Sequence, residues 1–126
     1  MNYEMIHTCI RVMDLDKSEQ FYQQAFGFEV TRRMDFPEYK FTLSYLVAPG
    51  GTFELELTFN YDQKEPYELG TGYSHLALGV KDLETSHQQH VENGYKPQPL
   101  NGLPGGEAKF YLLADPDGYM VEVVKV

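Results

Sequence analysis

His7-Thr8-Cys9-Ile10-Arg11-Val12-Met13-Asp14-Leu15 recurs as His75-Leu76-Ala77-Leu78-Gly79-Val80-Lys81-Asp82-Leu83, an offset of 68 residues (75 − 7). Val12 falls on Val80, Asp14 on Asp82, Leu15 on Leu83 and, further on, Ser18 on Ser86. In each copy an apolar alternation ends at an aspartate, the side chain that starts a helix by accepting from its first free N–H groups. Each copy therefore reads as a strand running into a helix. Self-similarity of this kind marks a chain built from two copies of one supersecondary unit.

Working outward from the first copy, residues 3–12 form a strand with Ile6, Ile10 and Val12 on one face and His7, Cys9 and Arg11 on the other. A helix over Leu15–Phe26 follows and stops at Gly27. Strands are expected over Phe28–Phe36, Lys40–Val47 and, after the turn Ala48-Pro49-Gly50-Gly51, Phe53–Asn60. Residues 61–72, polar and carrying Pro66, Gly70 and Gly72, read as a connector. The second copy continues with a strand over Tyr73–Val80 and a helix that Asp82-Leu83 opens and Gly94 closes. Strands over Tyr95–Pro99 and Ala108–Ala114 follow, then the turn Asp115-Pro116-Asp117-Gly118 and a last strand over Tyr119–Val126. The expected fold is α+β: one domain over 1–126 made of two βαβββ modules, 1–60 and 73–126, paired about a pseudo-twofold axis.

At 126 residues and 42% hydrophobic content the chain can bury one core. Its 19 acidic and 10 basic residues give a net charge of −9, which argues against nucleic acid or an anionic membrane as partner. Cys9 is the single cysteine, so no intrachain disulfide can form. With no basic-then-apolar start and no apolar run of spanning length, a cytoplasmic location is expected.

The last strand of the first module sharpens the functional reading. Phe53, Leu55, Leu57 and Phe59 alternate with Glu54, Glu56, Thr58 and Asn60. If that polar face turns inward, its carboxylates need a partner or a metal. Glu56 has a counterpart in Glu122, at an offset of 66 (122 − 56). Each module thus offers one histidine on its first strand and one glutamate on its last. His7, Glu56, His75 and Glu122 make a set of imidazoles and carboxylates without thiolates, suited to a divalent transition metal with positions left for substrate. A lone strand histidine or glutamate is usually structural, and it is the repeat that lifts these four above that reading. His87 and His90, among Gln and Glu on the second helix, read as solvent-facing, and Cys9 as a packing residue beside His7.

The sequence resembles bacterial glyoxalase I (lactoylglutathione lyase) of the vicinal oxygen chelate superfamily. The likeness covers nearly the whole chain. It is carried by His7–Val12 with Lys17-Ser-Glu-Gln-Phe-Tyr22, Arg33-Met-Asp-Phe-Pro-Glu38, Phe41-Thr-Leu43 and Glu54-Leu-Glu-Leu-Thr58 with Asn60. Gly72-Tyr-Ser-His75 and Asp115-Pro-Asp-Gly-Tyr-Met-Val-Glu122 complete it. The resemblance implies a homodimer of paired βαβββ modules, with His7 and Glu56 of one chain meeting His75 and Glu122 of the other around one divalent metal. The short chain resembles the nickel/cobalt-activated class, with zinc as the other candidate. The implied reaction isomerises the methylglyoxal–glutathione hemithioacetal to S-lactoylglutathione. Glu122 is then the principal base and Glu56 a ligand that also serves the other enantiomer. Arg11 and Asn60 match positions that hold the glutathione moiety. Thr71, Tyr61 and the segment 101–107 depart from the family pattern, and Lys109 is the basic residue nearest that segment. Other reactions of the superfamily, namely use of a different thiol, epimerisation, ring-cleaving oxygenation or thiol transfer, are the alternatives, together with a non-enzymatic resistance protein. The fourth ligand counts against oxygenation, and the intact ligand set against mere sequestration.

Overall fold

The computed structural model describes the whole chain, Met1–Val126, as two compact units, Met1–Glu68 and Leu69–Val126. No helix is long and apolar enough to cross a membrane. The first unit runs β1 (His7–Val12), α1 (Leu15–Phe26), β2 (Glu29–Phe36), β3 (Phe41–Val47) and β4 (Glu54–Asn60). Its four strands lie in the order β1-β4-β3-β2. β1 runs parallel to β4, and the other pairs are antiparallel.

Helix α1 begins where Asp14 accepts from the Lys17 N–H at 3.1 Å, and Asp16 favours the positive end of the helix dipole. It ends at Gly27, whose φ of 71° carries the chain out of the helix while its N–H bonds to the Gln23 carbonyl. Leu15, Phe21 and Tyr22 are buried from the helix side, and Ile10, Val12, Leu46, Leu55 and Leu57 from the sheet. The apolar alternation of β1 and β4 therefore faces α1, which leaves His7, Cys9, Glu56 and Thr58 on the opposite face. One charge lies under the helix. Glu19, 8% exposed, accepts from the Ser44 hydroxyl at 2.6 Å and from Arg33 in a short ion pair, so its burial is compensated.

A bulge in β2 decides which side chain meets which face. The register shifts between Val30 and Arg32, so that Arg32 pairs with Tyr45 and Arg33 with Ser44. Without that extra residue Thr31 would face Tyr45, and the two arginines would exchange faces.

The second unit runs β5 (Leu76–Val80), α2 (Leu83–Glu92), β6 (Phe110–Ala114) and β7 (Met120–Lys125), with strand order β5-β7-β6. β5 is parallel to β7, as β1 is to β4, and Asp82 caps α2 through the Thr85 N–H at 3.1 Å. The turn before β7 is held by Asp115, whose carboxylate accepts from the N–H groups of Asp117 and Tyr119, both at 2.9 Å.

Four expectations are corrected here. β1 starts at His7 rather than at residue 3, because its partner β4 begins at Glu54, opposite His7. Residues 95–99 do not form a strand: Pro97 and Pro99 have no N–H to give a ladder, and what remains is one bond from the Gln98 N–H to Leu112 and a single bridge between Asn101 and Phe110. β5 starts at Leu76 rather than Tyr73, because its partner β7 reaches back only to Met120 after the Asp115 turn. His90 is buried, not solvent-facing. Its Nδ1 lies 2.7 Å from the Tyr111 hydroxyl, which also meets the Ser86 hydroxyl at 2.7 Å. α2 buries only Leu83 and His90 fully, so a polar contact does the work that apolar area does under α1. Tyr111→Phe keeps the ring and removes both bonds, and a loss of about 1–3 kcal/mol of unfolding free energy is expected by urea denaturation.

Candidate metal centre

The polar face of the first sheet is laid out by register. His7 lies opposite Glu54, Cys9 opposite Glu56 and Arg11 opposite Thr58 across the parallel pair β1/β4. Tyr45 lies opposite Glu56 across β3/β4. On this face the His7 Nε2 comes within 3.3 Å of Glu56 Oε2, with the imidazole 37% and the carboxylate 12% exposed. Thr58 donates to Glu56 Oε1 at 3.4 Å and meets the Cys9 sulfur at 3.1 Å. Tyr45, opposite Glu56 in register, turns its hydroxyl toward that carboxylate. Desolvation, then the Glu56 bond and charge, push that hydroxyl up to about 12, so it stays a donor. The Cys9 thiol is raised as well. Crowding by its neighbours is the main cause and the Glu56 carboxylate a further one, outweighing the Thr58 bond that acts the other way.

A second layer supports Tyr45. The Arg32 guanidinium lies 3.9 Å over its ring, and His7 meets the ring edge-on at 6.1 Å. Glu54 holds Arg32 at 3.0 Å and 3.3 Å and accepts from Thr31 at 3.4 Å. The hydrogen bond from Arg32 keeps the Glu54 carboxyl below its usual range. Glu54 is therefore an anchor for Arg32.

The second unit carries the matching pair. His75 sits one residue before β5, and Glu122 on β7 is flanked across the sheet by Ala77 and Leu112. The His75 Nε2 is 3.5 Å from Glu122 Oε1, with exposures of 36% and 20%. His75 Nδ1 lies 2.8 Å from the Ser74 hydroxyl. If that nitrogen carries the proton, the Nε2 lone pair is free for a metal.

Each unit thus brings together one histidine and one glutamate of the expected four, and no group of three or more His, Cys, Asp or Glu side chains in the chain is placed to hold a metal ion. Each pair has the spacing of two ligands on one divalent cation. Adjacent ligands on one divalent ion, each about 2.1 Å away at right angles, lie about 3.0 Å apart. A neutral imidazole lone pair facing a carboxylate oxygen at such range is repulsive unless a proton or a cation answers both. The nitrogen and oxygen donors, without thiolate, suit a catalytic divalent transition metal better than a structural zinc.

Of the other expected residues, Arg11 is exposed on the His7 face. Asn60 ends β4, its amide donating to the Tyr67 hydroxyl at 2.9 Å. Lys109 is paired with Glu107 at 3.0 Å. Tyr45, Thr58 and Tyr67 were not foreseen. Alternation places Tyr45 on one face of β3, but only the register brings it to Glu56, and Tyr67 stands in the stretch read as a connector.

The repeated units, each with its His/Glu pair, define a vicinal-oxygen-chelate-type fold, and the chain belongs to the glyoxalase/bleomycin resistance protein/dioxygenase superfamily, whose family model matches residues 4–123. Within it, the chain is 37% identical to the lactoylglutathione lyase of Haemophilus influenzae, over 97% of this chain and 92% of that protein. It is 35% identical to the lactoylglutathione lyase of Escherichia coli O157:H7, over 96% and 91%. Among solved structures, the trypanothione-dependent glyoxalase I of Leishmania major superposes with a TM-score of 0.85 at 32% identity, over 98% of this chain and 87% of that one.

Because Arg32 stabilises the ionised Glu54, the contribution of that carboxylate to stability is present above the ordinary carboxylate range and lost as pH falls through its lowered value. In metal-free protein Glu54→Gln is expected to lower the urea midpoint slightly near neutrality. The gap to wild type should close as pH falls through and below the ordinary carboxylate range.

Proposed function

We propose that the protein is a lactoylglutathione lyase, a glyoxalase I that converts the hemithioacetal of methylglyoxal and glutathione into S-lactoylglutathione. The observation that carries this reading is the occurrence of one His/Glu pair in each repeated unit, His7 with Glu56 and His75 with Glu122. The names of the similar proteins, at 35–37% identity over nearly the full chain, support it.

In this reading the four side chains hold one divalent metal, with nickel first, cobalt next and zinc as the alternative. The protein works as a homodimer in which His7 and Glu56 of one chain are completed by His75 and Glu122 of the other. When bound, the metal supplies Lewis-acid stabilisation of the negative charge that develops on the two neighbouring oxygens of the substrate. The chain's own residues move the protons. Glu122 takes the hydrogen from the thiohemiacetal carbon as a proton and returns it to the adjacent carbon. The hydroxyl proton passes to the former carbonyl oxygen, so the reaction is a balanced isomerisation. Glu56, held by Tyr45 and Thr58, is the steadier carboxylate and serves the opposite enantiomer. Arg11 and Asn60 hold the glutathione portion. Arg11, exposed on the His7 face, is the cation for a glutathione carboxylate. A cytoplasmic location goes with this function and with the single free cysteine.

Chelator-stripped protein should regain isomerase activity with nickel or cobalt, read from the absorbance of the thioester product. Glu122→Gln should stay folded and lose about a hundredfold or more in kcat. A metal-loaded, folded protein inert toward hemithioacetals of glutathione and of other cellular thiols would refute the assignment. The shared site has its own test. His7→Ala and Glu122→Ala chains, each inactive alone, should on random mixing recover about a quarter of wild-type activity, since half the dimers then carry one intact site of two. If each site were built within one chain, mixing would restore nothing.

A further inference from the structure

The two glutamates of the repeat occupy corresponding strands but different surroundings. Glu56 has Tyr45 as its partner across β3/β4, whereas Glu122 has Leu112 across β6/β7. On its other side Glu56 has Cys9, with Thr58 also in reach, whereas Glu122 has Ala77. Neither Leu112 nor Ala77 has a side-chain donor to offer.

Tyr45 is also unusually constrained. It is 6% exposed, with Arg32 stacked at 3.9 Å on its ring and His7 against its edge. Arg32 is held in turn by two contacts to Glu54 at 3.0 Å and 3.3 Å. A ring clamped in this way keeps its hydroxyl at one point, and from that point it faces the Glu56 carboxylate across the β3/β4 pair. With Thr58 donating to Oε1 and Tyr45 beside the carboxylate, Glu56 Oε2 is left aimed at the His7 Nε2, 3.3 Å away. The chain Glu54–Arg32–Tyr45–Glu56 crosses three strands, and the β2 bulge is what brings Arg32 into it.

We propose that Tyr45 is a positioning residue of the metal centre: clamped by the Arg32–Glu54 pair, it fixes Glu56 as a rigid ligand, a support that the register neighbours of Glu122 do not provide. This rests on the metal-binding reading above. Outer-shell hydrogen bonds to ligating carboxylates restrict their orientation, and their loss commonly costs about 10–100-fold in metal affinity.

The test measures nickel affinity by competition with a chromophoric chelator, together with the thermal midpoint of the metal-free protein. Tyr45→Phe should weaken nickel binding by about tenfold or more while metal-free protein melts close to wild type. In nickel-saturated enzyme, kcat should fall with KM little changed. In a Glu56→Gln background the same substitution should have little further effect on nickel affinity, because the carboxylate it positions is gone. Arg32→Gln, which removes the stacked guanidinium and leaves the Tyr45 side chain intact, should weaken binding by a smaller factor and keeps the test open if the Phe variant folds poorly. Nickel affinity unchanged in Tyr45→Phe would overturn the proposal, as would an equal loss with and without the Glu56 carboxylate. Wild-type protein that binds no nickel would instead overturn the metal-binding reading itself, so the two failures are distinguishable.

Discussion

A carboxylate drawn out of water beside an imidazole sets the terms for the polar face of the first unit. With 12% of its side chain exposed, Glu56 must have its charge answered on every side that solvent does not reach. Tyr45, Thr58 and His7 supply that answer, and each stands where it does because of strand register. A slip of one residue in β4 would send Glu56 into the apolar layer under α1 and expose Leu55 or Leu57. The buried apolar face and the polar face are therefore one specification. The same alternation that buries Leu55 and Leu57 aims Glu56 and Thr58 the other way.

The β2 bulge extends this coupling. Arg32 and Arg33 are adjacent in sequence and serve opposite faces. Arg33 balances the buried Glu19 beneath α1, and Arg32 stacks on Tyr45 and pairs with Glu54. Two carboxylates of very different purpose are thus answered by one dipeptide. The cost of burying Glu19 and the order of the side chains around Glu56 both depend on the one-residue shift between Val30 and Arg32.

Much of this was legible in the sequence, and the reasons are specific. The alternations of β3 and β4 have period two, and α1 has an aspartate cap and a terminal glycine, so their bounds fall within a residue of those expected, whereas β1 begins four residues later than its alternation suggests, at His7. His7 with Glu56 and His75 with Glu122 meet in space because the repeat constrains them in pairs. What escaped were properties of contact between distant segments. Residues 95–99 read as a strand, but Pro97 and Pro99 cannot donate to a ladder and no strand forms there. His90 sits among polar residues in sequence, yet faces the Tyr111 hydroxyl. Tyr45 had the right parity, but a register between β3 and β4 cannot be counted from one strand alone.

The repeat also explains why its halves need not be equal. Duplication places a glutamate on the last strand of each unit, and the neighbouring strands then diverge in chemistry without disturbing the ladder. In the first unit the cross-strand neighbour of that glutamate is a hydroxyl-bearing ring, and in the second it is Leu112. An isomerase that must both hold a metal and move a proton has use for that inequality. A ligand that stays put favours a fixed geometry, while a base must leave and return within one turnover. A bonded carboxylate suits the first task and a less bonded one the second. Symmetry in the backbone thus leaves the division of labour to the two side chains at the register positions opposite Glu56 and Glu122.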